Sequence, residues 1–171
     1  MNIPISVIQT VENSAAPIDN SYFNHAEKAI QALDMVTPNS YCYDYMSNAI
    51  NALERLYKGF LKAATKVCDW YRLPSETFLT DDHDILGMVL EIKDNFPDVF
   101  PRVEREVWRE TKRFLRDLRA EYSHARYDTY PTYEEFRSVL EYIKSQQKLL
   151  TDYIKRGTLE ETNDRDMGLD Y

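Results

Sequence analysis

Residues Ser40–Tyr71 read SYCYDYMSNAINALERLYKGFLKAATKVCDWY, and the fold turns on them. Apolar side chains recur at Cys42, Tyr45, Ala49, Leu53, Leu56, Phe60, Ala64, Val67 and Tyr71. Steps of three and four residues trace one face of a helix, sustained here for about eight turns. Gly59 is the one weak helix former inside it. Leu73-Pro74 ends it, because proline disfavours helical backbone in the residue before it.

On the N-terminal side, Asp19, Asn20 or Ser21 can cap a preceding helix. Its apolar face is Tyr22, Ala26, Ala29, Leu33 and Val36. Thr37-Pro38 stops it, and Pro38 suits the first turn of the long helix. Before that, Ile3, Ile5 and Val7 alternate, while Pro4 and Pro17 preclude one continuous helix. Residues 1–18 are therefore read as an arm.

On the C-terminal side, Asp81 and Asp82 can cap a shorter helix with Ile85, Val89, Ile92 and Phe96 on its inner face. Pro97 and Pro101 bracket a turn. A fourth helix is expected from about Arg102 to about Ser123, with Val107, Phe114, Leu118, Tyr122 and Ala125 as its buried side. Asp128–Pro131 reads as a loop. Thr132 and Glu135 form a capping box that opens a fifth helix, whose core face is Phe136, Leu140, Ile143, Leu150 and Ile154. Lys155, Arg156 and Gly157 supply a C-terminal signal. Residues 158–171 are polar and acidic and are read as a disordered tail. The expected architecture is all-α: an up-and-down bundle of four long helices and one short one over residues 19–157.

Composition narrows the function classes. The 171 residues suit one domain with its own core. Only four glycines occur, which argues against a turn-rich β fold or a glycine-rich phosphate loop. No apolar run reaches the roughly 18 residues of a membrane span. The first Lys or Arg is Lys28, so the basic n-region expected of a signal peptide is missing. The expected location is cytoplasmic, with no membrane partner. Cys42 and Cys68, if on one continuous helix, stand about 39 Å apart, far beyond disulfide reach. Both are expected to be reduced and mostly buried.

The net charge of −8 speaks against nucleic acid, but its distribution does not. Residues 157–171 hold five acids and one arginine, half of the excess. Arg102–Tyr127 holds eight Lys or Arg against five Asp or Glu. Within it, Arg102, Arg105, Arg109, Lys112, Arg116 and Arg119 recur at helical spacing and form one stripe. Pairs such as Arg102–Glu106 and Arg113–Asp117 fit a solvated helix face. Arg105–Arg109 and Arg109–Arg113 are like-charge neighbours at the same spacing, and a track for an RNA backbone would explain that repulsion. Arg126 extends the same basic character.

The stripe runs into Arg119, Glu121, Tyr122, Ser123 and His124. Metal-free RNA cleavage needs a group that moves the 2′-OH proton near neutral pH, for which histidine is suited, and a fixed cation on the phosphate, for which arginine is. On a straight helix, positions five apart differ by about 140° around the axis. One straight helix cannot aim Arg119 and His124 at one phosphate. Either the helix frays near Ser123, or two copies share a site. The bland alternative makes His124 a C-terminal cap and Arg119 one half of a surface ion pair. Tyr122, Tyr127, Tyr130 and Tyr133 cluster around this stretch and could stack on bases or fill helix crossings.

AINALERLYKGFLKAA (Ala49–Ala64), HDILGMVLEI (His83–Ile92) and RAEYSHARY (Arg119–Tyr127), in that order, resemble the HEPN domain family (higher eukaryotes and prokaryotes nucleotide-binding). The last resembles the family's Arg-x4–6-His motif, followed by Arg126, Tyr127 and Pro131 as in small single-domain members. The likeness spans roughly Tyr22 to Arg156. It implies a metal-independent endoribonuclease without a cofactor, acting as a homodimer with a composite Arg119/His124 site. Such a protein serves as a toxin or phage-defence effector, sometimes paired with a nucleotidyltransferase antitoxin. Two positions depart from the pattern. Ala120 stands where a polar residue is usual, and Tyr127 lies three rather than two residues past the histidine. Glu121 and Ser123 are then the candidates for the polar group. The alternative is a non-catalytic HEPN module that binds a nucleotide or a protein partner.

A metal enzyme is the rival class. Glu121-x-x-His124 has the spacing of half a carboxylate-bridged di-metal site. Neither His25 nor His83 is preceded by a glutamate at that spacing, so the second half is missing.

Overall fold

A computed structural model of the chain describes the backbone of residues 21–70, 84–122 and 130–166, with side chains from 22–62, 84–118 and 130–153. Every regular element among them is a helix: α1 (Ser21–Asp34), α2 (Asp44–Trp70), α3 (Ile85–Asn95), α4 (Arg105–Tyr122) and α5 (Tyr133–Asp166). They form a helical bundle. The arm over residues 1–18 and the capping candidates Asp81 and Asp82 lie outside the described residues.

Helix α2 is the centre and packs against each of the other four. Ala49, Leu53, Leu56 and Phe60 are buried as their spacing predicts, and so are Met46, Ile50, Tyr57 and Leu61 beside them. The buried arc is therefore wider than one stripe, because partners approach from more than one side. Full burial of each large apolar side chain contributes about 1.5–3 kcal/mol. Gly59 makes room for one of these approaches, that of α1. A Cβ built there would lie 3.0 Å from Tyr22 Cβ and 3.3 Å from the Phe23 ring. The residue that weakens α2 as a helix lets α1 lie against it.

The α1–α2 connection differs from its sequence reading. Thr37 N–H donates to Ser40 Oγ at 2.9 Å, and Ser40 N–H donates to the Thr37 carbonyl at 3.1 Å. These bonds close a turn that contains Pro38, and α2 begins only at Asp44. Proline's fixed φ serves that turn rather than the first turn of the helix. Cys42, left ahead of α2, is exposed rather than buried. The Cys68 side chain lies outside the described set.

Helix α3 is capped by Asp84, whose Oδ1 accepts from Gly87 N–H at 2.7 Å. Its Ile85, Val89 and Ile92 and the following Phe96 enter the core as expected. The capping box of α5 is formed in both directions. Thr132 N–H donates to Glu135 Oε2 at 2.9 Å, and Glu135 N–H donates to Thr132 Oγ1 at 3.1 Å. At its other end α5 runs through Gly157 to Asp166, past the stop read from Lys155-Arg156-Gly157. An internal glycine costs only about 1 kcal/mol, and no proline follows to enforce a stop.

Polar contacts tie α5 to the elements before it. Asp34 Oδ1 meets Arg137 Nη1 and Lys144 Nζ, each at 3.2 Å. Tyr133 donates its hydroxyl proton to the Val36 carbonyl at 3.2 Å, and Tyr41 donates to the Pro131 carbonyl at 2.7 Å. Inside the core, Tyr57 donates to Gln146 Oε1 at 2.6 Å. Burial pushes the Tyr57 hydroxyl well above its usual pKa, and the neighbouring Tyr142 adds to the shift. No helix among the described residues is long and apolar enough to cross a membrane.

Candidate nucleic-acid interface

The basic stripe lies mainly on α4. Arg102 precedes the helix, which starts at Arg105 rather than at Arg102. Arg105, Arg109, Arg113 and Arg116 are exposed, while Lys112 is half-buried. Lys112 stands beside Trp108, its ammonium 5.9 Å from the ring centroid, and Lys93 of α3 lies over the same ring at 3.7 Å. Two ammonium groups thus share one indole, a favourable cation–π arrangement.

The ion pairs differ from the i,i+4 pairs read from the sequence. Glu106 pairs with Arg109, not Arg102, and Asp117 approaches Arg116 at 3.5 Å, not Arg113. Arg102 and Arg105 have no ion-pair partner among the described residues, so the stripe keeps unneutralised cations.

The apolar side of α4 is only partly covered. Leu118 is buried and Phe114 half-buried, with the Phe114 ring edge-on to Tyr142 at 5.1 Å. Val107 is 47% exposed, contrary to its expected burial. Leu115, absent from the predicted face, is fully buried. The periodicity marks an apolar side but not how far the neighbouring helices extend along it.

The motif divides at the end of α4. Arg119, Glu121 and Tyr122 occupy its last turn, but their side chains lie outside the described set. Ser123, His124, Arg126 and Tyr127 also lie outside the described residues. Tyr133 is held in the helix crossing by its bond to Val36. Tyr130 sits on the surface, 67% exposed, stacked on Tyr43 with ring centroids 4.4 Å apart.

A cavity of about 390 Å³ lies where α2, α4 and α5 meet. Met46, Phe114, Leu118 and Val139 give it apolar walls. Its polar lining is Asp117, Glu134, Glu135 and Ser138, with no cation. Sequence reasoning did not find this cavity, because its walls come from three stretches far apart in the chain. No group of three or more His, Cys, Asp or Glu among the described residues is placed to hold a metal ion.

No protein-family model matches the chain, and neither a characterised protein nor a solved structure matches it.

Proposed function

We propose that this chain is a metal-independent endoribonuclease with a HEPN-like up-and-down bundle, acting as a homodimer. The observation that carries the reading is the exposed arginine stripe of α4, which leads in sequence into Arg119 and His124. In this reading the Arg119 guanidinium stabilises charge on the phosphorane, while His124 moves the 2′-OH proton. Arg105, Arg109, Lys112, Arg116 and Arg126 hold the strand through its phosphates. Glu121, Tyr122, Ser123 and Tyr127 support the pair. The helical offset between Arg119 and His124 favours a site shared by two copies. The biological role would be that of a toxin or phage-defence effector, in the cytoplasm, restrained by a partner such as a nucleotidyltransferase.

The test is expression of wild type and His124→Ala in cells, with growth and RNA integrity followed. Wild type alone should arrest growth and fragment RNA; identical behaviour of the two removes the nuclease reading. Ala120 favours a second reading, a non-catalytic module that binds a nucleotide or a protein partner. Its signature would be a stoichiometric partner recovered on purification while cellular RNA stays intact.

A further inference from the structure

We propose that the seam between α3 and α4 at Trp108 is a phosphate clamp for single-stranded RNA, built from Lys93 and Lys112 on one indole; the inference rests on the RNA-binding reading above. Lys93 stands on α3, outside the arginine stripe, and its ammonium lies 3.7 Å from the Trp108 ring centroid. The Lys112 ammonium, on α4, lies 5.9 Å from the same centroid. One ring thus gathers cations from two helices.

Cation–π attraction does not by itself account for two of them. One ammonium already meets the ring, and the second adds repulsion from the first. Asp94 follows Lys93 directly and Glu104 stands one turn before Trp108. Neither lysine, however, has an ion-pair partner among the described residues. The chain has 29 acids against 21 Lys or Arg, so carboxylates are in excess and yet none neutralises this pair. An anion from outside the chain is the charge that matches it. Lys93, Trp108 and Lys112 are all half-buried, which leaves the two ammonium groups open to such a ligand.

The placement names the anion. Arg105, Trp108, Lys112 and Arg116 follow one another at steps of three, four and four residues, so the pair lies within the cationic track. A strand whose phosphates lie on Arg105 and Arg116 passes the seam. A free lysine loses rotamer freedom when it grips a phosphate. Here the indole already restrains both side chains, so that loss falls on folding rather than on binding. Trp108 is the positioning residue, and Lys93 and Lys112 make the contact. The track is then two helices wide, and Lys93 is the part that charge spacing along α4 could not reveal.

The experiment is anisotropy of a fluorescent uridine decamer across a salt series, with the full chain carrying His124→Ala as the parent, which leaves the RNA uncut. Lys93→Met keeps an apolar stem and removes the charge. It should weaken binding on the order of fivefold, the upper end for one partly exposed ion pair. It should also lower the slope of log affinity against log salt by about 0.7. Lys93→Arg should bind as the parent does. Trp108→Leu leaves both lysines in the chain and should still weaken binding, while Trp108→Phe, which restores a ring, should recover it. Emission gives a separate readout. Trp70 and Trp108 are the two tryptophans, so in a Trp70→Phe chain the signal is that of Trp108. The decamer should change it, and Lys93→Met should suppress that change. Parent-like affinity and slope in Lys93→Met, parent-like binding in Trp108→Leu, or emission indifferent to the decamer would overturn the clamp, while a loss in Arg105→Ala would leave the RNA reading in place. A parent that binds anionic lipid vesicles and no decamer would overturn both.

Discussion

The Tyr57 hydroxyl donates to Gln146 Oε1 at 2.6 Å in the core, joining α2 to α5 beside the Tyr142 hydroxyl. Removing the Tyr57 hydroxyl takes from the buried Gln146 its donor to Oε1. Tyr57→Phe should lower stability by about 1–3 kcal/mol in urea unfolding, the usual penalty for an unmet buried polar group. Replacing both partners, as Tyr57→Phe with Gln146→Leu, should cost less than the single change.

Gly59 gives a second prediction. At an open helix position Gly→Ala gains about 1 kcal/mol. Here the new methyl meets the root of Tyr22 rather than a flexible tip, so α1 must shift. Gly59→Ala should show none of that gain in urea unfolding. Gly59→Leu should destabilise by about 1–3 kcal/mol through overpacking.

The Asp34 cluster sets a pH dependence. Hydrogen bonds from Lys144, then Arg137, hold its carboxyl below its ordinary value of 3.8. A carboxylate with a lowered folded pKa adds stability above its unfolded pKa, and this is lost as pH falls through the folded value. The group is largely exposed, so the effect is small, about 0.2–1 kcal/mol. Asp34→Asn should lower the urea midpoint at pH 7, and the difference from wild type should shrink below pH 3.8.

The cationic track predicts a salt signature. Arg105→Ala or Arg116→Ala should weaken RNA binding similarly for all sequences. Each loss of a phosphate contact should reduce the slope of log affinity against log salt by about 0.7 for a single strand. Anisotropy titrations across a salt series measure this, and an unchanged slope would remove these arginines from the interface.

Sequence periodicity carried much of the fold. The α2 core face and the Thr132–Glu135 box were legible because each depends on residues within a turn of one another. Val107 was misread and Leu115 missed because burial along α4 depends on how its neighbours pack on it, which spacing within one helix does not carry. Pro38 and Gly157 were misread because a local stop or start signal is a preference worth only a few kcal/mol, which neighbouring structure can override. The exposure of Arg105, Arg109 and Arg116 was legible from charge spacing. The cavity was not, since Met46, Asp117 and Glu134 become neighbours only through packing.

The central claim is metal-independent RNA cleavage through His124 and Arg119. The most direct measurement is incubation of the purified chain with RNA in excess EDTA, with rates and product ends compared between wild type and His124→Ala. The account predicts cleavage by wild type that leaves 2′,3′-cyclic phosphate ends, and a loss of about 10²-fold or more in His124→Ala. Intact RNA with wild type, or equal cleavage by both proteins, would contradict it.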